Sequence, residues 1–258
     1  NFLTLPKGDT VQRGRGRAVF MGGGSPQVSA ISFTQIQSGG IAENFGSLSA
    51  DRMNLRGGSS STRGLSAHSA NDVANTIEFI TIATTADASD FGDLATNNGH
   101  AAGVSNQTRA MICGGGNSTG TLNVIEFITI ASTGDAVDFG DTVGQNQQQG
   151  GTQSPTRGLL FGGAPRNDET IEFFTIASTG NSQDFGDLNQ LGESLMGCCL
   201  SSPVRAIAAG GAHPGVKQNI EYVTIATKGN STNFGNMTTS RDQHYSNSDS
   251  IRGVFSGG

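Results

Sequence analysis

Hydrophobic positions recur along this chain in runs of five or six residues, separated by Gly, Ser, Thr, Asn and Asp. The most regular run is the hexad Ile77-Glu78-Phe79-Ile80-Thr81-Ile82, which recurs at Ile125, Ile171 and Ile220 and more loosely at Ile31. Branched and aromatic side chains suit a pleated surface and lose rotamer freedom in a helix. The run length and the turn residues that bound it are typical of strands. The pattern therefore predicts an all-β protein.

Two further landmarks recur with the hexad. An arginine precedes a short apolar run that ends in Gly-Gly at Arg17, Arg109, Arg157, Arg205 and Arg252, and Arg63 begins a degenerate copy that reaches Ser69 without the glycines. A Phe-Gly pair, at Phe45, Phe91, Phe139, Phe185 and Phe234, follows 14 residues after the first Ile of each hexad. The arginines are 46 to 48 residues apart. Four short strands in a period of about 47 residues are typical of one propeller blade.

Turn residues support this division into strands. Asp87 and the pairs Gly134-Asp135, Gly180-Asn181 and Gly229-Asn230 fall between the hexad and the Phe-Gly pair. A hairpin at this place needs residues that tolerate positive φ. The turn chemistry and the strand pattern therefore agree.

The N-terminal residues suggest how the ring closes. Asn1-Phe2-Leu3-Thr4-Leu5 aligns with Glu78–Ile82, and Lys7-Gly8-Asp9 aligns with Lys228-Gly229-Asn230. The chain ends at Gly257-Gly258, where a hexad strand would follow. We therefore expect residues 1–258 to form a single domain, a six-bladed propeller closed by pairing of the N-terminal strand with the C-terminal strand. A five-bladed ring with loose ends is the alternative.

The repeat resembles a known family. An apolar strand, Gly-Gly, an Ile-Glu-aromatic strand and a later aromatic residue are similar to the kelch repeat, with Phe where kelch repeats usually carry Trp. The consensus of the repeats, Thr-Ile-Glu-Phe-Ile-Thr-Ile-Ala-Ser-Thr-Gly-Asp followed by Asp-Phe-Gly-Asp-Leu, resembles arrays in virion proteins of marine tailed bacteriophages, especially those that infect cyanobacteria. The resemblance covers essentially the whole chain. It implies a kelch-like β-propeller in a virion, although a fold alone does not define a function.

Composition narrows the range of partners. Charged residues make up 14 % of the chain, and its net charge of −6 and pI near 5.1 argue against nucleic-acid and anionic-membrane partners, which need clustered Lys and Arg. No window approaches the roughly 18 apolar residues of a membrane helix, so we expect neither membrane insertion nor a signal peptide. The three cysteines, Cys113, Cys198 and Cys199, do not suggest a disulfide framework.

The repeated charged residues have a structural and a functional interpretation. The six arginines could form a ring of ligand-binding guanidinium groups, but recurrence once per blade favours ties between blades, made to Glu78, Glu126, Glu172, Glu221 or backbone carbonyls. The pairs Asp90 and Asp93, Asp138 and Asp141, and Asp184 and Asp187 could hold calcium. The equivalent positions Asn44, Ser47, Asn233 and Asn236 carry no charge, so turn capping is favoured.

The repeats do not favour a catalytic or metal-binding site. His68, His100, His213 and His244 lie in different repeats without HxH or HxxxH spacing, which argues against zinc. We expect no nucleophile elbow, phosphate-binding glycine loop or paired-carboxylate motif in these strands and turns. Copper oxidases of the kelch type rely on Tyr and His, and Tyr222 simply replaces the repeat's Phe. We therefore expect no enzyme activity, no catalytic residue, no metal and no cofactor.

The segments that vary between repeats are the candidates for binding. Asn117–Asn123, Ala164–Glu169 and Ala212–Lys217 follow the glycine pairs and should share one rim, and Gln145–Gln149 is polar and uncharged. Loops on a rigid scaffold commonly carry function. The sequence thus predicts a virion structural protein, in a tail fibre, tail tip or capsid surface, that contacts other virion proteins and a host-surface glycan or receptor and oligomerises through the parent assembly. The alternative is a secreted or cell-surface lectin-like module. The ligand-binding residues are not defined by the sequence, and the expected location is the virion or the extracellular space.

Overall fold

The protein is an all-β propeller with five blades. The computed structural model describes residues 16–24, 26–36, 38–67, 75–165, 169–190, 195, 198–212, 215–248 and 251–257. Within these ranges there is no helix, and so none that is long and apolar enough to cross a membrane.

Each complete blade is a four-stranded antiparallel sheet in which the strands follow one another outwards from the axis. Blade 1 consists of β1 (Arg17–Gly23), β2 (Val28–Gln35) and β3 (Glu43–Arg52). Blade 2 consists of β4 (Arg56–Ser59), β5 (Arg63–Ala67), β6 (Thr76–Thr81) and β7 (Ser89–Asp93). Blade 3 consists of β8 (Ala102–Ser105), β9 (Arg109–Cys113), β12 (Val124–Thr129) and β13 (Val137–Asp141), and a small hairpin of β10 (Gly116–Asn117) and β11 (Gly120–Thr121) lies between β9 and β12. Blade 4 consists of β14 (Gly150–Gln153), β15 (Arg157–Phe161), β16 (Thr170–Thr175) and β17 (Gln183–Asp187). Blade 5 consists of β18 (Cys199–Ser201), β19 (Arg205–Ala209), β20 (Asn219–Thr224) and β21 (Thr232–Asn236).

The sixth arginine repeat does not form a blade of this kind within the described residues. It forms a two-stranded sheet of β22 (Tyr245–Ser248) and β23 (Gly253–Ser256) beside blade 5. The five-bladed alternative is therefore the one observed, and the preferred count of six, which followed the arginines, was wrong. The expected pairing of Asn1–Leu5 with the C-terminal strand falls on residues 1–15, which lie outside the described residues, as do His68 and Ser69 of the degenerate repeat.

The short inner strands surround the axis. β4, β8, β14, β18 and β22 contact one another in this order and line a central cavity of about 400 Å³ together with β1. Their backbones are close enough that a Cβ added to Gly103 would lie 2.2 Å from the Gly57 carbonyl oxygen. Serine hydroxyls join the ring: Ser105 donates to the Ser59 carbonyl, Ser201 to that of Gln153, and Ser248 to that of Ser201.

The hydrophobic core lies between the blades. In blades 1 to 4 the Phe of the Phe-Gly pair is only 2 % exposed, and it packs edge-on against the hexad aromatic of its own blade. The following blade covers it with hydrophobic hexad residues: Ile80 packs with the Phe45 cluster, Ile128 and Ile130 with that of Phe91, Phe174 and Ile176 with that of Phe139, and Val223 and Ile225 with that of Phe185. One face of each of blades 1 to 4 is therefore covered by the next blade.

Candidate binding rim

The strand directions give the propeller two rims. We call the rim where the second strand of each blade begins the arginine rim, because the repeated arginine stands there. The opposite rim, where the glycine pairs end the second strand and the outer strand leads to the next blade, is the loop rim.

The repeated arginines join blades at the arginine rim. In blades 1 to 4 a guanidinium Nη1 donates to the carbonyl of the last hexad residue in the next blade: Arg17 to Ile82 at 2.7 Å, Arg63 to Ile130 at 2.8 Å, Arg109 to Ile176 at 2.9 Å and Arg157 to Ile225 at 2.9 Å. Each also stacks over the hexad aromatic of its own blade, 4.4 to 5.1 Å from the ring centroid. Each of these arginines is half-buried, stacks on an aromatic ring of its own blade and donates to the next blade, and it thereby ties two blades together.

The hexad glutamates join the same blades at the loop rim. All four are at most 3 % exposed and accept hydrogen bonds from the loop of the preceding blade. Glu78 accepts from the Ser49 N–H, and Glu172 from the Val143 N–H. Glu221 accepts from the N–H groups of Asn189 and Gln190. Glu126 accepts from Ala95 and Thr96, and burial raises its pKa above the ordinary carboxyl value.

Of the two kinds of partner expected for the repeated arginines, the described residues show the backbone carbonyls and not these glutamates. Among the described residues, Glu78 forms an ion pair with Arg52, whose Nε lies 3.4 Å from the carboxylate. Arg52 is not one of the repeated arginines. Backbone N–H groups take the place of the arginines. Sequence reasoning missed this because a backbone donor leaves no mark in the sequence.

The hairpin turns supply a third contact between blades. The carboxylate or amide oxygen of Asp87, Asp135, Asn181 and Asn230 accepts the N–H of the residue after Phe-Gly in the preceding blade, at 2.9 to 3.1 Å. The turn residues Gly134, Gly180 and Gly229 do have positive φ, as expected. The capping groups are thus these turn residues and not the Asp pairs beside Phe-Gly, which contribute the capped N–H groups of Asp93, Asp141 and Asp187.

The remaining candidate residues form no metal cluster within the described ranges. Burial lowers the pKa of His100 and of His244, and His244 Nδ1 lies 3.5 Å from the Cys198 sulfur. Burial raises the pKa of the Cys198 thiol to about 12, and it also raises those of Cys113 and Cys199. His213 lies outside the described residues. All three cysteines are buried and free, so none has the exposed thiolate of a nucleophile.

The loop rim carries the segments that differ between blades. In blade 3 the β10–β11 hairpin stands on it, with the Asn117 side chain accepting from Thr119 and donating to the Asn97 carbonyl, while Ser118 and Thr119 are exposed. Neighbouring loops interlock, since Gln147 and Ala164 exchange backbone hydrogen bonds and the Gly115 N–H donates to the Asn146 carbonyl. The described rim loops of blades 3 and 4 are thus bonded to one another.

The glutamine-rich segment is divided by burial. Gln145 is exposed and Gln147 and Gln148 are half-buried, whereas Asn146 and Gln149 are at most 2 % exposed and their amide groups have no hydrogen-bond partner. Only part of this segment therefore faces outwards.

Comparison with known proteins adds no family to the fold. Neither the protein-family models nor the curated proteins that were searched include a match to this chain. The class that the structure defines is a β-propeller with five blades.

Proposed function

We propose that this chain is a rigid protein-binding module of a bacteriophage virion, and that the loop rim is its contact surface for other virion proteins. The observation that carries the proposal is that the recurring residues of each repeat make contacts between blades, whereas the variable residues lie on the loop rim. The recurring Arg, Glu, Phe-Gly and turn Asp or Asn groups are occupied in contacts between blades. What is left to differ from blade to blade is the loop rim.

The chemistry of the rim supports a protein partner. Its exposed groups in blade 3 include the uncharged hydroxyl and amide side chains of Ser118, Thr119 and Gln145 beside the hydrophobic Val143. Protein interfaces contain about one hydrogen bond per 100–200 Å², and such groups form these bonds without the cost of burying a charge. The assignment to a virion rests on the resemblance of the repeat to phage arrays.

The first experiment is a search for the chain in purified particles from its source, by mass spectrometry with quantified copy number and by cryo-EM. A fixed copy number and density for the propeller on the particle are the expected results. Absence from intact particles would refute the virion role.

A pair of variants then tests the rim itself. Ser118→Arg places a long charged side chain on the loop rim, and Ser132→Arg places the same side chain on the exposed turn of the same blade at the arginine rim. We expect Ser118→Arg to reduce incorporation into particles and Ser132→Arg to leave it unchanged. Equal incorporation of both variants would show that the loop rim is not the contact surface.

A glycan is the competing ligand, because amide and hydroxyl groups also bind sugars. The rim segments differ in sequence between blades, as in Asn117–Asn123 against Ala164–Glu169, and this argues against equivalent sugar pockets in every blade. Binding on a glycan array, lost in Ser118→Arg and kept in Ser132→Arg, would favour the lectin-like function over the virion contact.

A further inference from the structure

The charge of the hairpin turns changes along the propeller. The turn that caps the preceding blade carries Asp87 in blade 2 and Asp135 in blade 3, whereas blades 4 and 5 have Asn181 and Asn230 at this position. Blade 5 also has Lys228 in its turn. The loops and turns that blades 4 and 5 contribute to the arginine rim contain no Asp or Glu; they are residues 154–157, 175–183, 202–205 and 224–232. This part of the rim is therefore cationic in a chain whose net charge is −6.

Two of these cations lie over one aromatic ring. The guanidinium carbon of Arg157 is 5.1 Å from the centroid of Phe173, and the ammonium nitrogen of Lys228 is 4.7 Å from it. Lys228 is exposed and Arg157 is half-buried, so both charges are accessible to solvent. The ring stabilises each cation, but like charges so close together repel each other, and an anion bound to both would remove that repulsion.

The guanidinium of Arg157 has hydrogen-bond donors to spare. Its Nη1 donates to the carbonyls of Ile225 at 2.9 Å and Ala226 at 3.1 Å. Its Nε and Nη2 make no hydrogen bond to the described residues, and no described carboxylate lies within 4 Å of Arg157 or Lys228. Nε and Nη2 together form the flat pair of donors that matches a carboxylate or sulfate group.

A small cavity beside Phe173 supplies neutral polar groups. It has a volume of about 140 Å³ and lies in the β16–β17 hairpin of blade 4. Its lining includes Phe173 and the polar residues Thr175, Ser178, Thr179, Asn181 and Gln183. This volume is well below the roughly 300–1,000 Å³ of a site for a drug-sized ligand, so the cavity fits a single sugar unit or its charged substituent.

We propose that the arginine rim of blades 4 and 5 binds an anionic glycan. Arg157 and Lys228 bind its carboxylate or sulfate groups, and the hydroxyl and amide groups of the blade 4 hairpin bind its hydroxyl groups. A glycan fits better than a nucleic acid, because the net charge of −6 repels a continuous row of phosphates. It also fits better than an acidic protein segment, because neutral hydroxyl and amide groups lie beside the two cations. The site is on the rim opposite to the loop rim, so it does not depend on the proposed contact with virion proteins.

Biolayer interferometry with immobilised dextran sulfate, polygalacturonate and unmodified dextran tests the site and distinguishes sulfate from carboxylate groups. We expect the full chain to bind one or both of the charged polymers, more weakly as the salt concentration rises, and not to bind dextran. Lys228→Thr should weaken this binding several-fold. Lys217→Thr is the matched control, because it removes the same charge from the loop rim, and it should leave the binding unchanged.

A second variant guards against a local change at Phe173 in Lys228→Thr. Asn181→Asp combined with Asn230→Asp restores the carboxylates of blades 2 and 3 and keeps the oxygen that caps the preceding blade. It should weaken binding several-fold at an unchanged melting temperature. Binding to neither charged polymer would overturn the proposal, as would equal losses in Lys217→Thr and Lys228→Thr. Equally tight, Lys228-dependent binding of a DNA duplex or of polyglutamate would also overturn it, since the ligand would then be a nucleic acid or an acidic protein segment.

Discussion

At the scale of single residues, the glutamate inside each hydrophobic hexad is the least expected feature of this fold. A buried carboxylate is costly unless its oxygens accept hydrogen bonds. Glu221 has these bonds on both oxygens, from Gln190 N–H on Oε1 and from Asn189 N–H and the Ser231 hydroxyl on Oε2. In Glu126 the Oε2 atom has no partner. The same position in the repeat therefore holds one fully and one partly satisfied carboxylate.

Substitution by glutamine should separate these two sites. Glu221→Gln replaces one accepting oxygen by an NH₂ group that faces N–H or O–H donors, and it should lower the free energy of unfolding by about 1–3 kcal/mol. Glu126→Gln is able to keep its accepting oxygen towards Ala95 and Thr96 while it removes a buried charge, so its loss should be smaller. Urea denaturation at pH 7 provides the comparison. Equal losses at the two sites would contradict the difference in hydrogen bonding.

The axis offers a second prediction at this scale. The Ser105 hydroxyl donates to the Ser59 carbonyl at 3.1 Å and accepts the Ser59 N–H at 2.9 Å, whereas the Ser59 side chain is exposed. Ser105→Ala should therefore cost about 1–3 kcal/mol, because it leaves two backbone groups of the inner ring without partners. Ser59→Ala is the matched control and should cost much less. If the two variants unfold at the same urea concentration, the ring of serine bonds does not stabilise the axis.

At the scale of strands and turns, the Phe-Gly pair brings an outer strand against the turn of the next blade. Gly140 has φ of 147°, and a Cβ there would lie 2.6 Å from the carbonyl carbon of Gly180. Gly134, in the turn of the same blade, has φ of 153° and nothing within 4 Å of its Cβ position. Both need a backbone that disfavours other residues, but only Gly140 is also pressed against a neighbouring backbone.

Alanine substitutions should therefore separate the cost of the positive φ from the cost of the contact between blades. Gly134→Ala is expected to carry the cost of its positive φ alone. Gly140→Ala should destabilise by about 1–3 kcal/mol more, because the added methyl forces blades 3 and 4 apart. Thermal unfolding followed by circular dichroism measures the difference. A Gly134→Ala variant as unstable as Gly140→Ala would mean that the contact between blades contributes little.

These elements also show what the sequence was able to predict. In blades 2 to 5 the hexad strands were predicted to within one residue, as in Val124–Thr129 against a hexad that begins at Ile125, because branched and aromatic residues face two neighbouring blades. The inner strands Arg56–Ser59, Ala102–Ser105 and Gly150–Gln153 share no such pattern, since they contact one another through their backbones. The blade count was overestimated because an arginine strand recurs in β23 without a complete sheet around it. The loop rim was predicted because its segments differ in sequence between repeats. The hydrogen bonds between neighbouring rim loops were not predicted, because they join backbone groups and leave no pattern in the sequence.

At the scale of the whole molecule, the blades form one cooperative body through repeated ties at the axis, at both rims and at the outer turns. Few of the groups involved change charge near neutral pH. The titrating groups with a resolved shift are instead buried: His100 and His244 with lowered pKa, Cys113, Cys198 and Cys199 with raised pKa, and Glu126 with raised pKa. The free energy of unfolding should therefore depend on pH mainly through the burial of these groups.

The signs of these shifts predict a window of stability. Below about pH 6.5 the unfolded histidines bind protons that the buried His100 and His244 resist, so the free energy of unfolding falls with falling pH. Above about pH 9 the unfolded thiols ionise, while the Cys198 thiol, with a pKa of about 12, stays protonated, so stability falls again. Glu126 acts in the opposite sense to the histidines above pH 4.5, because the folded carboxyl holds its proton to a higher pH than the unfolded one.

Urea midpoints measured from pH 4 to pH 11 give the dependence of stability on pH. His244→Gln should flatten its acid limb and Cys199→Ala its alkaline limb, because each removes one group whose pKa burial shifts in the folded chain. An acid limb of unchanged slope in His244→Gln would mean that this ring accepts a proton in the folded propeller as readily as in the unfolded chain.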